Sequence, residues 1–304
     1  MEVTKSIFFQ TYNLNVADLE NYLGEALARG GDYADLYFEY RINHSIVLEE
    51  QIIKSATKSV SLGVGVRVIS GEKTGYAYSD DLNRENVMKA ARTAAFIANA
   101  SSQGGKIQIP TPLGQEKNLY PINVFPAELE IAQKIALLQD ADRAARGFDS
   151  RIKQVQASYV DETKHVLIVT SEGNAAWDRQ PLVRMNVMCI AEEGGRRQSG
   201  YQGGGGRRGL DIFAGDLDPK AIARESARQA ILQLGAVDAP AGPMEVVLAP
   251  GWPGILLHEA IVMVWKLIST ERKPRHSPVW SDRKLLLNCA QLWMTGLYRF
   301  AAVR

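Results

Sequence analysis

Apolar residues recur at helical spacing from Asn15 to Ala28, where Val16, Leu19, Leu23 and Ala26 share one face. Asn15 or Asp18 can accept from the free N–H groups at the start, and Gly30-Gly31 ends the run, so the spacing predicts a helix. The pattern then changes period. Asp35 to Tyr40 and Ser45 to Ile53 are rich in β-branched and aromatic residues, and Val60 to Ile69 places Val60, Leu62, Val64, Val66 and Val68 on one side with Gly63, Gly65 and Arg67 on the other. These segments predict strands with one buried face. Gly71 to Gly75 is a glycine-bounded turn, from which Tyr76 to Tyr78 returns as the second arm of a hairpin.

Asn83 to Ala100 is alanine-rich with helical period, and Pro110, Pro112, Pro121 and Pro126 then punctuate a long connection. Ala127 to Ala145 predicts another helix, closed by Gly147. Ile152 to Val160, His165 to Thr170 and Leu182 to Ala191 predict antiparallel strands, joined by turns at Asp161-Glu162 and Glu172-Gly173-Asn174. Pro219 to Gly235 is a helix with proline in its first turn. Ala239-Pro240-Ala241-Gly242-Pro243 has the composition of a linker, followed by a short strand at Met244 to Leu248. Helices and strands mix without strict βαβ alternation, so the expected class is α+β, with antiparallel sheets in the first domain.

A chain of 304 residues, 46% hydrophobic and 23% charged, can bury one large core or two ordinary ones. No apolar run approaches the roughly 20 residues that span a bilayer, and Met1 to Tyr12 lacks the pattern of a secretory signal, so a cytoplasmic location is expected, with no membrane partner. Two cysteines, Cys189 and Cys289, exclude a disulfide scaffold. The net charge of +1 gives no case for nucleic acid. The balance is uneven, however: Val262 to Arg304 holds eight basic and two acidic residues and three of the five tryptophans, with little amphipathic period.

Candidate chemistry concentrates before that change. In Ala249-Pro250-Gly251-Trp252-Pro253-Gly254-Ile255-Leu256-Leu257-His258-Glu259-Ala260, a glycine and proline turn leads into a short apolar helix carrying His258 beside Glu259. Zinc peptidases present an imidazole ligand next to a carboxylate base in this way. The run closely resembles the entry to the active-site helix of the TldD/PmbA family of metalloproteases. Asp35 to Phe38, Val64 to Tyr78, Arg179 to Arg184 and Gly203 to Gly206 resemble further segments of the family in the same order. The likeness runs from near the N-terminus to Ile261 and favours the TldD branch over the PmbA (TldE) branch, in which the His-Glu pair is degenerate.

The resemblance implies a zinc-dependent peptidase acting on small or unfolded peptides, a heterodimer with a PmbA/TldE-type subunit, and a motif HExxxH followed by a distant cysteine. On that pattern His258 is the first metal ligand and Glu259 the general base. The second ligand belongs at position 263, which is Met263, and Val262 precedes it; neither replaces imidazole for zinc. The expectation is therefore an incomplete site in a catalytically silent copy, with residues 1–238 as the family's N-terminal domain, 239–261 as linker and start of a β-rich metalloprotease domain, and 262–304 as a tail. His276 and Cys289 fit no ligand spacing.

Codons suggest what the tail is. Met263-Val264-Trp265-Lys266 must be encoded ATG-GTN-TGG-AAR. Read one base earlier, these bases force Gly and Glu, permit Leu between them, and permit His at the start, giving the family's His-Gly-Leu-Glu. Trp293-Met294-Thr295 similarly forces Asp-Asp, where the family carries Val-Asp-Asp-Gly. A single-base deletion near codon 262 would make Val262 to Arg304 an out-of-frame tail on a C-terminally truncated chain.

The remaining candidates are plainer. Gly203, Gly204 and Gly205 lack the context of a phosphate loop and read as a flexible loop; by resemblance they lie near the substrate cleft, where glycines let a peptide backbone approach. Arg196 and Arg197 read as a solvated turn, His44 and His165, with no second donor at ligand spacing, as satisfied or exposed structural histidines, and Cys189 as a buried apolar residue. Two other outcomes stay open: a non-catalytic subunit that binds PmbA or peptide, and a pseudogene product that does not fold.

Overall fold

The structure, a computed structural model, describes residues 6–98, 109, 121–122, 124–215, 217–243, 245, 247, 249, 251 and 253–259. It divides into two units, Met1–Val237 and Asp238–Arg304. The first unit is built on a six-stranded antiparallel sheet: β1 Tyr33–Glu49, β2 Ile52–Ser70, β3 Lys73–Ser79, β4 Ile152–Thr170, β5 Ala175–Glu193 and β6 Arg196–Gly206, in the spatial order β3-β2-β1-β4-β5-β6. Four helices pack on one face: α1 Val16–Leu27, α2 Arg84–Ala98, α3 Ile131–Arg146 and α4 Pro219–Leu234. This is the α+β architecture the sequence predicts.

The order is that of a repeat. Helix, three-strand meander and helix occur twice, and the halves meet where β1 pairs with β4, from Asp35 opposite Thr170 to Glu49 opposite Gln156. Registers match as well as order: Val68 pairs with Gly75 in the first meander as Cys189 pairs with Gly200 in the second. Both glycines exist for the same reason. A Cβ on Gly75 would overlap the backbone of Ala94 and Ala98 in α2, and one on Gly200 would overlap Ser226 and Ala230 in α4. Each helix therefore lies directly on its edge strand. Thr74-Gly75-Tyr76 and Ser199-Gly200-Tyr201 are the trace of this repeat in the sequence.

Each half has its own core. Leu19 and Leu23 of α1 meet Leu36, Phe38, Val64, Val66 and the alanine face of α2. Leu138 and Ala141 of α3 meet Tyr159, Met185, Val187 and the face of α4 bearing Ile222 and Ala227. Each fully buried leucine contributes about 1.5–3 kcal/mol. The helix ends follow the expected signals: Asn15 Oδ1 accepts from Asp18 N at 2.9 Å, Asn83 Oδ1 from Asn86 N at 2.8 Å, and Asp218 Oδ1 from Lys220 N at 3.2 Å.

Several expectations are corrected. The segment Ser45 to Ile53 is not one strand: it contains the β1–β2 turn, where Glu50 and Gln51 take φ of 50° and 65°. No glycine or asparagine marks that turn. Asp161-Glu162 is not a turn but the middle of β4, because Asp161 is turned inward and paired. Gly203 to Gly206 is not a flexible loop but the end of β6. A Cβ at Gly203 or Gly205 would overlap the backbone of β5, and one at Gly204 would crowd Leu217. Arg196 and Arg197 open β6, and the turn before them is Gly194-Gly195 at φ of 57° and 79°. The helix expected at Ala127 to Ala145 begins instead as a separate turn at Pro126–Glu128 and resumes at Ile131. The strand expected at 244–248 falls partly outside the described residues.

Candidate functional site

In the second unit Gly251, at φ of 121°, turns the chain, and Gly254 N donates to Gly251 O at 2.9 Å. The short helix α5, Pro253–Leu257, follows, and His258 and Glu259 come immediately after it, both exposed. Positions 262 and 263, His276 and Cys289 lie outside the described residues. Among the described residues no group of three or more His, Cys, Asp or Glu side chains could hold a metal ion. His258 offers one imidazole and Glu259 one carboxylate. These two described donors alone do not complete a zinc site.

Polar chemistry in the first unit is concentrated at the join between the repeats. Lys134 of α3, only 1% exposed, places Nζ 2.6 Å from Asp161 Oδ2 and 3.2 Å from His44 Nδ1; Asp161 Oδ1 is 2.9 Å from the same Nδ1. Nδ1 can donate to Asp161 or accept from Lys134, but not both, so Asp161 and Lys134 compete for the imidazole. Tyr159 and Thr163, two residues to either side of Asp161, are fully buried, and among the described residues the Thr163 hydroxyl finds no hydrogen-bond partner. Burial, with Asp161 nearby, holds the Tyr159 phenol well above its ordinary pKa, so it stays neutral.

His165 corresponds in the repeat to His44 and has a different setting. Its ring lies 6.0 Å from Tyr40, and burial, reinforced by the Arg179 cation, lowers its pKa to about 4. It is neutral at pH 7. Arg179 is held by Glu128 at 2.5 Å and lies 3.3 Å above the Phe125 ring. Both histidines are structural, as the sequence reading has them. The spacing alone puts Asp161 in a turn and gives Lys134 no role, although Lys134 shares the buried stripe of α3 with Leu138, Ala141 and Ala145. A lysine on an apolar stripe was the available signal. Cys189 is fully buried, and burial raises its thiol pKa.

Gly203, Gly204 and Gly205 run along an outer strand opposite Asn186, Met185 and Arg184. The geometry explains them by close packing of β6 on β5 and Leu217. They and His258-Glu259 belong to different units.

Comparison with known proteins gives the chain its relatives. Residues 34–98 match the model of PmbA/TldA metallopeptidase domain 1, and residues 125–234 that of the PmbA/TldA metallopeptidase central domain. The two matches divide where the two repeats divide. A metalloprotease TldD homolog of Haemophilus influenzae is 41% identical over 258 residues, 82% of this chain and 52% of that protein. One from Buchnera aphidicola subsp. Schizaphis graminum is 38% identical over 267 residues, 85% of this chain and 54% of that one. The fold resembles a proposed modulator of a DNA gyrase from Thermotoga maritima, with TM-score 0.58 and 19% identity over 75% of this chain and 50% of that one. It also resembles TldE of Thermococcus kodakarensis, with TM-score 0.54 and 18% identity over 70% and 47%. The chain spans about half the length of the curated relatives it matches.

Proposed function

Because the chain belongs to the PmbA/TldD family of metallopeptidases, we propose that it carries the N-terminal scaffold and the first half of the metal motif of a TldD-type protease acting on small or unfolded peptides. The observation that carries this reading is the Gly-Trp-Pro-Gly-x-Leu-Leu-His-Glu run, whose His258 and Glu259 stand exposed just beyond α5. In the family assignment His258 is the first ligand of a zinc ion and Glu259 the base. With Met263 at the second-ligand position the donor set is incomplete, so this reading frame is a catalytically silent copy and no hydrolytic step is assigned to it.

The codons allow the adjacent frame to supply what is missing. One base earlier, the bases behind Met263 to Lys266 force Gly and Glu, permit Leu between them and permit His at the sixth position of HExxxH. The strongly basic composition of 262–304 accords with an out-of-frame tail. Determining the bases across codons 255 to 270 tests this directly: the expected result is one missing base near codon 262, and an adjacent frame without family-like sequence would refute it. Elemental analysis of the purified chain should find no stoichiometric zinc, whereas restoring the base should give zinc that is lost on His258→Ala. A partner of the PmbA/TldE type is part of the same reading, and co-purification of the two chains checks it.

A further inference from the structure

On the sheet face opposite the helices, registers in the first repeat set three cross-strand rows: Asp35, Arg67 and Tyr76; Tyr37, Gly65 and Tyr78; Glu39 and Gly63, with Asp80 just beyond the end of β3. Strands lie about 4.8 Å apart, so two successive same-face glycines on the middle strand leave a gap about two strand spacings wide, floored by backbone. The result is a trough of about 320 Å³ between Tyr37 and Glu39 on one wall and Tyr76, Tyr78 and Asp80 on the other. Tyr37, Tyr76 and Tyr78 are 37%, 57% and 76% exposed. Clustered exposed aromatics mark contact surfaces. Tyr76 leans over Gly65, where a Cβ would lie 2.7 Å from its hydroxyl, whereas a Cβ at Gly63 would meet only backbone, with Ser79 O at 3.0 Å, so the part of the trough that no side chain covers is at Gly63.

The repeat shows what such a place holds when it is filled. Matching registers make Gly63 correspond to Arg184, Gly65 to Asn186, Tyr76 to Tyr201 and Asp80 to Gly205. In the second repeat Arg184 Nη2 lies 3.4 Å from the Tyr201 hydroxyl, which donates to Asn186 Oδ1 at 2.6 Å. There the chain provides its own guanidinium. In the first repeat it provides glycine instead, and adds a carboxylate.

Charge points the same way. Asp35 is taken up by Arg67, with contacts of 2.5 and 2.8 Å. Glu39 is taken up by Arg41 at 2.6 Å, by Lys164 at 3.7 Å and by the Tyr37 hydroxyl at 2.9 Å. Asp80 makes no hydrogen bond or ion pair among the described residues. The trough thus presents one uncompensated carboxylate beside tyrosine faces, a match for a planar cation.

We propose that this trough binds the arginine side chain of an extended peptide, the guanidinium seated over Gly63 and paired with Asp80. The peptide carrier rests on the peptidase reading; the trough and its test do not require hydrolysis. The probes are blocked pentapeptides, acetyl-Gly-Gly-X-Gly-Gly-amide with X as arginine, citrulline or lysine, titrated calorimetrically into the full chain. The arginine peptide should bind at one site, and citrulline, which keeps the shape and loses the charge, should bind roughly tenfold more weakly. Asp80→Asn, at an exposed position that leaves the core untouched, should weaken the arginine peptide roughly fivefold without changing citrulline. Gly63→Arg should abolish binding by supplying a tethered guanidinium, with the Asp80→Asn result standing if that variant misfolds. Equal affinity for arginine and citrulline, a silent Asp80→Asn, or tighter binding of lysine than arginine would each overturn the assignment. Zinc content and peptide hydrolysis are separate readouts, so loss of the peptidase reading would leave this result unaffected.

Discussion

A buried ion pair is most sensitive to losing one member, because the survivor keeps its desolvation penalty and loses its compensation. Lys134→Met should therefore cost about 3–5 kcal/mol in urea unfolding, and the double change Lys134→Met with Asp161→Leu should recover most of it. His165 gives a pH signature. Its pKa falls from 6.5 in the unfolded chain to about 4 in the fold, so below pH 6.5 the unfolded state binds the extra proton. Stability is intact above that pH and falls as pH drops from 6.5 toward 4, by up to about 3 kcal/mol; His165→Asn should flatten the slope in chemical unfolding at several pH values. At this scale the sequence was partly legible. His44 and His165 read as structural because no second donor stands at a metal-ligand spacing, and Cys189 as buried from its apolar neighbours Met188 and Ile190, whereas Asp161 reads as a turn residue because adjacent carboxylates more often face water.

The elements were legible where capping and glycine signals mark their ends, and misjudged where those signals were absent or ambiguous. Asn15, Asn83 and Asp218 cap helices as their side chains allow. The β1–β2 turn is formed by Glu50 and Gln51 in left-handed conformations that disfavour both residues, so nothing in the sequence marks it. Replacing the pair by Asn-Gly should raise stability by about 1 kcal/mol in thermal or chemical unfolding. Glycine has the opposite role at Gly75 and Gly200, where the space for a Cβ is taken by helix backbone. Alanine at either position should cost about 1–3 kcal/mol by the same assay, despite its better intrinsic propensity. The run from Gly203 to Gly206 shows the same ambiguity: composition favoured a loop, and close approach of strands is why a strand forms there.

At the scale of the molecule, the first unit ends at Val237, and residues 235–243 are exposed. A broad-specificity protease at low dose should cut within that stretch and leave a resistant fragment ending there, read by mass spectrometry. Among the described residues no helix is long and apolar enough to cross a membrane. Hydrophobic periodicity was enough to determine the α+β class, the four helices of the first unit and the inward faces of most strands, because burial of one face imposes a period locally. The His-Glu run was likewise a local signal, readable from twelve consecutive residues. What only tertiary structure decided is that β1 pairs with β4, that the chain repeats one unit across that seam, that Lys134 and Asp161 meet inside it, and that Gly63 and Asp80 line one trough. The β1–β4 pairing and the repeat across it depend on register between strands more than a hundred residues apart. Spacing along the chain does not encode that register, whereas packing of both cores against one sheet does.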